Sequence, residues 1–164
     1  MKYFFDTEFH EDKHGIELIS IGIVKENGEE YYAVNKAYDQ NRATSWLKQN
    51  VIYKLKPEAY GLPFYKSERE IRTDILAFCE DMAEVWGYCS AHDWFLLCRL
   101  MGGMMSKPVH WPWNCLDIAQ TLYEHGLPSS ILPSYSNRAD VHNALADARW
   151  VKAALSAIEQ HPST

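Results

Sequence analysis

The first third of the chain alternates short apolar runs with turn residues, which is the pattern of a β-meander. Residues 2–9, 16–24 and 30–34 are rich in aromatic and β-branched side chains and predict three strands. The pair Asn27-Gly28 between the second and third runs is the signal of a tight hairpin. The pattern therefore predicts an antiparallel sheet in which sequential strands are neighbours.

The remainder of the chain changes to helical periodicity, interrupted by shorter apolar runs. The predicted elements are a weak helix at 43–52, a loop to residue 66, a helix capped by Ser67, a strand at 85–89, a helix ended by Gly102-Gly103, a short strand at 113–116, a helix at 117–125, a loop at 126–139 and a C-terminal helix with Asp140 as its N-cap. Strands followed by alternating helices and strands predict an α/β fold, a mixed β-sheet flanked by α-helices. With 164 residues and no linker or repeat, residues 1–164 are predicted to form one domain.

The charge and the apolar runs of the chain exclude some partners. A net charge of −6 argues against an extended basic surface for duplex nucleic acid or for an anionic membrane. No apolar stretch approaches the length of a membrane span, and Asp6 and Glu8 interrupt the first apolar run too early for a signal peptide. The four cysteines form no Cys-x-x-Cys pair, so they are expected to be reduced thiols of a cytoplasmic protein. They are Cys79, Cys89, Cys98 and Cys115.

Two carboxylates follow the apolar part of the first predicted strand. Asp6 and Glu8 are two residues apart, and strand side chains alternate between faces, so both are predicted to point one way and Thr7 the other. Like charges this close repel each other unless a cation lies between them, and carboxylate oxygens suit Mg²⁺ or Mn²⁺. The alternative is a strand that ends in a solvated acidic turn.

Three more residues extend this acidic set. Asp93 follows the fourth predicted strand. His142 and Asp147 lie near the start of the C-terminal helix, where they share one site only if His142 is in the first turn or the loop before it. Asp93 has the alternative role of a helix N-cap, and Asp147 that of a solvated acid paired with Lys152 or Arg149. His142 taken alone is an ordinary surface histidine.

The order of these motifs resembles a known enzyme family. Asp6-Thr-Glu8, Asp93 and His142-x4-Asp147 match the motifs of the DEDDh 3′–5′ exonucleases, the RNase T and oligoribonuclease group with an RNase H-like fold. The resemblance runs from residue 3 to about residue 150. The segments Tyr-Phe-Phe-Asp-Thr-Glu-Phe, Ile-Glu-Leu-Ile-Ser-Ile-Gly and Glu-Tyr-Tyr-Ala-Val are most similar to the RNase AS branch, small bacterial exoribonucleases specific for polyadenylate.

The resemblance implies a metal-dependent reaction on RNA. Its catalytic metal ligands would be Asp6, Glu8, Asp93 and Asp147, holding two Mg²⁺ ions for which Mn²⁺ can substitute, with Asp6 as the bridging ligand. His142 would act as general base and accept the proton of the attacking water. The implied product is a nucleoside 5′-monophosphate released from the 3′ end of single-stranded, adenylate-containing RNA. The implied assembly is a homodimer.

Contacts to the substrate follow from the same resemblance and from position beside the carboxylates. The candidate substrate-binding residues are Thr7, Phe9, His10, Glu17 and Arg138. Phe9 either stacks on a base or packs in the core or an interface, and Arg138 would contact a phosphate. The segments Met104-Met105 and 111–113 either line a dimer surface or fill the core.

Two positions depart from the family pattern close to the second motif. Cys89 stands where many members have Asn, and His92 stands where Phe or Tyr often precedes the Asp. Neither change removes a predicted metal ligand, but both affect how the terminal nucleotide is oriented.

Two other functions remain open at the level of sequence. A DNA-directed 3′–5′ exonuclease of the same family would differ in its contacts to the 2′-hydroxyl, which the sequence does not reveal. A non-catalytic module that binds nucleic acid or protein is less favoured, because an unused acidic cluster is only an electrostatic cost. The favoured prediction is a metal-dependent 3′–5′ exoribonuclease.

Overall fold

The computed structural model describes residues 1–55, 64–136 and 138–161 and contains one mixed β-sheet with helices on both faces. The strands are β1 Lys2–Asp12, β2 Gly15–Lys25, β3 Glu30–Asn35, β4 Tyr65–Lys66, β5 Glu84–Gly87 and β6 Leu116–Asp117. The helices are α1 Ser45–Asn50, α2 Glu68–Phe78, α3 Ala91–Leu100, α4 Ile118–Glu124 and α5 Ala144–Gln160. Short 3₁₀ turns lie at Gln40–Arg42, Ile52–Lys54, Met104–Ser106 and Ser129–Ile131.

The sheet has the strand order β4-β3-β2-β1-β5-β6. Strands β1, β2 and β3 are antiparallel neighbours, as the meander pattern predicts, whereas β4, β5 and β6 are each parallel to their inner neighbour. The predicted α/β fold with a mixed, helix-flanked sheet is therefore confirmed. Strand β5 pairs with β1 only from Lys2 to Phe4, so within the described chain the outer edge of β1 carries no strand beyond Phe4. Asp6 and Glu8 lie in this stretch.

Each face of the sheet has its own apolar core. On the face covered by α1 and α5, here called the α5 face, Phe4 packs with Val151. On the face covered by α2 and α3, here called the α3 face, Phe5 packs with Ile71 and Leu97. Phe4 and Phe5 point to opposite faces because strand side chains alternate. The apolar residues that open β1 therefore fix which way each following side chain points.

Helix α5 begins directly over Gly22 of β2. A Cβ atom at Gly22 would lie 2.3 Å from the backbone nitrogen of Leu145 and 2.4 Å from the carbonyl carbon of Ala144. Gly22 is the residue paired with Asp6 in the register of β1 and β2. The missing side chain therefore lets the first turn of α5 rest against the sheet beside Asp6.

The start of α5 differs from the prediction. Asn143 is the N-cap, and its side-chain oxygen accepts a hydrogen bond from the backbone N–H of Ala146 at 3.1 Å. The prediction of Asp140 as N-cap is wrong, because the buried apolar run that packs on the sheet begins at Ala144. Asp140 instead lies before the helix and forms an ion pair with Arg138.

Two other segments refine the predicted elements. The short strand predicted at 113–116 is found at Leu116–Asp117, and Asp117 then caps α4 by accepting hydrogen bonds from the N–H groups of Ala119 and Gln120. Residues 56–63, in the loop predicted to end at residue 66, lie outside the described residues.

Among the helices of the described ranges, none has the length and apolar character needed to cross a bilayer. All four cysteines are free thiols.

Candidate active site

The two carboxylates of β1 are held on the α5 face. Asp6 and Glu8 continue the alternation set by Phe4, and a carboxylate oxygen of Glu8 lies within 4.8 Å of a ligand atom of Asp147 in α5. The Glu8 side chain is buried, and Asp6 is partly buried. Thr7 points to the α3 face, where it contacts Asp93. The predicted alternation is confirmed, and the alternative of a solvated acidic turn is wrong for Glu8.

Asp93 reaches this site around the open edge of β1. Its Oδ1 atom accepts a hydrogen bond from the backbone N–H of Thr7 at 3.0 Å and another from the Thr7 hydroxyl at 2.5 Å. The N–H of Thr7 is available because β5 no longer pairs with β1 at that point. The alternative of Asp93 as a helix N-cap is wrong, since Ser90 holds that position and Asp93 lies inside the first turn of α3.

His142 occupies the turn immediately before α5 and has a left-handed backbone with φ of 63°. Its backbone N–H donates to Oδ2 of Asp147 at 2.9 Å. Its ring lies edge-on against Trp46, with ring centroids 4.9 Å apart. The sequence predicted that His142 and Asp147 can share one site only if His142 precedes the helix or lies in its first turn. His142 lies in the loop before α5 and beside Asp147, so this condition is met.

Asp147 is buried and its carboxylate is surrounded by polar groups. The hydroxyl of Tyr135 donates to Oδ2 at 3.3 Å, and Nη2 of Arg138 forms an ion pair with Oδ1 at 3.0 Å. The alternative of a solvated acid paired with Lys152 or Arg149 is wrong. Arg149 pairs with Glu30, and Lys152 donates to backbone carbonyls of the β2–β3 turn.

These side chains line one open pocket. Its lining comprises Asp6, Thr7, Glu8, Phe9, Trp46, Leu47, Tyr88, Cys89, Asp93, Tyr135, His142 and Asp147. The acidic groups of β1, α3 and α5 thus face the same space as several aromatic rings. Such a combination provides oxygen ligands for cations and flat surfaces for bases in one place.

Burial and mutual repulsion make the carboxylates hard to ionise together. Burial, reinforced by Asp93, Glu8 and Asp147, raises the pKa of Asp6 well above its usual range. Burial, with Asp147 and Asp93 adding to it, raises the pKa of Glu8 to about 8. Burial likewise raises the pKa of Asp93 to about 6, although the hydrogen bonds from Thr7 oppose the shift. A site of this kind is charged at neutral pH only when positive charge compensates it.

The donor set fits a hard divalent cation. Ligand atoms of Glu8, His142 and Asp147 all lie within 4.8 Å of one another. Within the described chain Oδ1 of Asp147 accepts no hydrogen bond, although it has Arg138 as an ion-pair partner. Carboxylate oxygens with raised pKa values, one of which accepts no hydrogen bond, are what Mg²⁺ or Mn²⁺ would stabilise.

The pKa of His142 responds to the same surroundings. Burial lowers the pKa of His142, and the carboxylate of Asp147 opposes this decrease. The ammonium of Lys54 lowers the pKa further. A histidine with a lowered pKa is neutral near pH 7 and can accept a proton.

The structure brings together some predicted substrate residues and separates others. Thr7 and Phe9 line the pocket, and the Phe9 ring packs against His92 with centroids 5.3 Å apart. His10 is buried beside Asp12, and Glu17 forms an ion pair with Arg42. As far as the described residues define the pocket, His10, Glu17 and Arg138 do not line it, although Arg138 forms an ion pair with Asp147.

Several residues that line the pocket or lie beside it were not singled out from the sequence. Trp46 belongs to the segment predicted as a weak helix, and its side chain is 53% exposed. Tyr135 lies in the loop at 126–139, a length that is typical of a functional or a mobile connection. Lys54 and Tyr88 carry no motif, since their place near the site depends on how distant segments pack.

Comparison of this sequence with known proteins finds similarity to 3′-5′ exoribonucleases. Residues 1–159 match the family described as 3′-5′ exoribonuclease Rv2179c-like domain. The chain is 42% identical over 153 residues to 3′-5′ exoribonuclease Rv2179c of Mycobacterium tuberculosis (strain ATCC 25618 / H37Rv), covering 91% of this chain and 88% of that protein. It matches 3′-5′ exoribonuclease MT2234.1 of Mycobacterium tuberculosis (strain CDC 1551 / Oshkosh) with the same identity and coverage.

Proposed function

The chain belongs to the family of Rv2179c-like 3′-5′ exoribonuclease domains, and from that premise we propose that it hydrolyses single-stranded RNA from the 3′ end to nucleoside 5′-monophosphates. The observation that supports this most is the convergence of carboxylates from β1, α3 and α5 on one pocket with His142. We assign the DEDDh motifs, the RNase H-like fold and the RNase AS branch to the chain as part of the same proposal. Residues 1–164 then act as one exonuclease domain.

The proposed metal ligands are Asp6, Glu8, Asp93 and Asp147. Two bound Mg²⁺ or Mn²⁺ ions would activate water, neutralise the phosphodiester and stabilise the leaving 3′-oxygen. Thr7 contributes by fixing one oxygen of Asp93 through its backbone and hydroxyl.

His142 is the proposed general base. Its ring faces the pocket between Trp46 and the carboxylates, and its lowered pKa keeps it able to accept the proton of the attacking water. The ring must stay on the pocket side for this role, so the backbone turn that carries it is part of the mechanism.

The aromatic lining is the proposed binding surface for the terminal nucleotides. Phe9 and the exposed ring of Trp46 lie on the pocket wall, where bases can stack on them. His10 and Glu17 would contact RNA only beyond the pocket, and Arg138 would contact a phosphate only after leaving Asp147. A preference for adenylate is proposed from the RNase AS resemblance.

A homodimer is proposed through the segment that follows α3. Met105 is 81% exposed and Trp113 is 65% exposed, so they present apolar surface. Trp111 instead fills the core and donates its indole N–H to the carbonyl of Cys79. Sedimentation of the wild type and of a Met105→Ser, Trp113→Ser double variant tests this, because the proposal predicts a dimer only for the wild type. A cytoplasmic location is proposed from the free thiols.

The nuclease proposal is tested by incubating 5′-labelled homopolymer RNAs and matched DNA with the protein and Mg²⁺. We expect stepwise shortening of the labelled RNA from the 3′ end, fastest for oligo(A), and chromatography of the unlabelled products should show nucleoside 5′-monophosphates. Asp6→Ala should abolish this hydrolysis and His142→Ala should reduce it on the order of 10²-fold to 10⁴-fold, whereas Glu80→Ala, which changes an exposed acid of the chain, should leave it unchanged. Undiminished hydrolysis in excess EDTA contradicts the metal-dependent mechanism.

Two other outcomes, one of this assay and one of a binding measurement, would support the alternative functions. Preferential digestion of DNA indicates a DNA-directed exonuclease of the same family. Binding of RNA without turnover in the presence of metal, seen by calorimetry, indicates a non-catalytic module.

A further inference from the structure

The peptide group between Val141 and His142 is held at both of its polar ends. Its carbonyl oxygen accepts a hydrogen bond from Nζ of Lys54. Its N–H donates to Oδ2 of Asp147 at 2.9 Å. In a trans peptide these two groups point in opposite directions, so the peptide lies between a cation and an anion with its dipole aligned to both.

This peptide sets the backbone angle of His142. A φ of 63° costs a residue other than glycine energy that the surroundings must offset. The charge-assisted hydrogen bonds to Lys54 and Asp147 supply such compensation, because each fixes one end of the peptide plane. Rotating the plane would break both bonds and turn the imidazole away from its present position.

Lys54 and the ring that packs on His142 come from one segment of the chain. Trp46 lies in α1, and Lys54 ends the 3₁₀ turn Ile52–Lys54 that follows it. The segment therefore contacts the His142 turn twice, by an aromatic edge contact and by a hydrogen bond to the backbone. Within the described residues, no hydrogen bond or ion pair of Lys54 with a side chain is found, so the carbonyl of Val141 is its polar partner.

We propose that Lys54 is a positioning residue for His142, acting through the carbonyl of Val141 rather than through contact with RNA. The inference rests on the proposed function, because it assumes that His142 accepts a proton during hydrolysis. It assigns Lys54 to the chemical step, so its removal lowers kcat and leaves KM for RNA nearly unchanged.

The test compares Lys54→Met, Lys54→Arg and the control Lys48→Met in steady-state hydrolysis of oligo(A). Lys48 is an exposed lysine of α1, so its removal changes the charge of the same segment without touching Val141. Loss of a hydrogen bond from a charged donor predicts a decrease in kcat of about 10-fold to 100-fold for Lys54→Met. Lys54→Arg should recover most of the activity, and Lys48→Met should keep all of it.

A double-mutant cycle separates a positioning role from an independent one. If Lys54 acts through His142, adding Lys54→Met to His142→Ala should lower kcat by less than twofold. Thermal unfolding of each variant shows whether it is folded, and Mn²⁺ titration by calorimetry should show affinity at least equal to that of the wild type. If Lys54→Met does not fold, Lys54→Gln takes its place in every comparison, because it also removes the positive charge but keeps a polar end on the side chain.

Three results overturn the inference. They are a raised KM with unchanged kcat, an undiminished kcat, and the same loss of kcat with and without His142. The first would identify Lys54 as an RNA contact. A wild-type protein that hydrolyses no RNA would instead contradict the proposed function, so the two failures are distinguishable.

Discussion

Thr7 holds Asp93 by two hydrogen bonds to the same carboxylate oxygen, one from its backbone at 3.0 Å and one from its hydroxyl at 2.5 Å. Thr7 lies on the α3 face of β1, whereas the neighbouring carboxylates lie on the α5 face. The pair thus joins the two faces of the sheet around its open edge. Asp93 can be delivered by α3 and still belong to a site on the opposite side.

We predict that Thr7→Val lowers activity, because the hydroxyl bond that orients Asp93 is lost while the size of the side chain is kept. Hydrogen bonds to charged groups contribute about 1.5–3 kcal/mol, which corresponds to a loss of activity on the order of 10-fold to 100-fold. Thr7→Ser keeps the hydroxyl and should retain most of the activity. Steady-state kinetics of the two variants provide the measurement, and equal activities would contradict the assignment.

At position 142, we predict that glycine and alanine differ in their effect on stability and have the same effect on activity. Both substitutions remove the imidazole, so kcat should fall on the order of 10²-fold to 10⁴-fold in each. Glycine adopts a φ of 63° freely and alanine does not, so His142→Gly should be more stable than His142→Ala by about 1 kcal/mol. Chemical denaturation measures the difference. An alanine variant at least as stable as the glycine variant would show that the turn is not strained.

We predict that the protein in EDTA loses stability as the pH rises. The pKa of Glu8 is raised from 4.5 to about 8, and that of Asp93 from 3.8 to about 6, chiefly by burial. Folding then favours the protonated carboxyls, so their contribution is complete below the unfolded pKa values and is lost as the pH rises through the folded ones. Urea denaturation should therefore give lower stability at pH 8 than at pH 6.5.

Two comparisons check this pH dependence. Mg²⁺ binds the ionised carboxylates of the folded state and should narrow the difference between the two pH values. Glu8→Gln carries no ionisable group at that position and should show a shallower dependence in EDTA. The lowered pKa of His142 acts in the opposite direction, but the histidine of the unfolded chain is only about half protonated at pH 6.5, so it reduces the difference by only a few tenths of a kcal/mol. Stability that increases towards pH 8 in EDTA would contradict the prediction.

We predict that Gly22→Ala displaces the start of α5 and reduces both stability and activity. The added methyl group would lie 2.3 Å from the nitrogen of Leu145, a contact with backbone that cannot be relieved by a side-chain rotation. Overpacking of this kind costs about 1–3 kcal/mol. The activity should decrease as well, because the displaced turn carries His142 and Asp147. Denaturation and kinetics of the variant provide the measurement, and wild-type values in both would show that the helix adapts freely.

The parts of the site that depend on local periodicity could be predicted from the sequence. Asp6 and Glu8 share a face because strand side chains alternate, and no information from elsewhere in the chain is needed. Asp6 and Glu8 also lie on the same face of the sheet as Phe4, because the three residues occupy alternate positions of the strand. The predicted meander and mixed sheet follow in the same way from apolar runs and turn residues.

The parts of the site that depend on packing between distant segments could not be predicted from the sequence. Asp140 and Asn143 are both acceptable N-caps, and the choice between them follows from the contact of Ala144 with Gly22. Trp46 and Lys54 reach the turn at Val141 and His142 only because α1 and the 3₁₀ turn after it pack beside that turn. No periodicity or motif encodes such a contact, so the sequence carries no signal for either residue.

The position of α5 at the end of the described chain has a consequence during synthesis. Strand β1, which carries Asp6 and Glu8, leaves the ribosome well before α5, which carries Asp147. Contacts between such distant segments form only after both have been made. A nascent chain that has not yet released α5 therefore holds an incomplete set of the proposed acidic ligands, and its pocket is not yet able to hydrolyse RNA, its own messenger included.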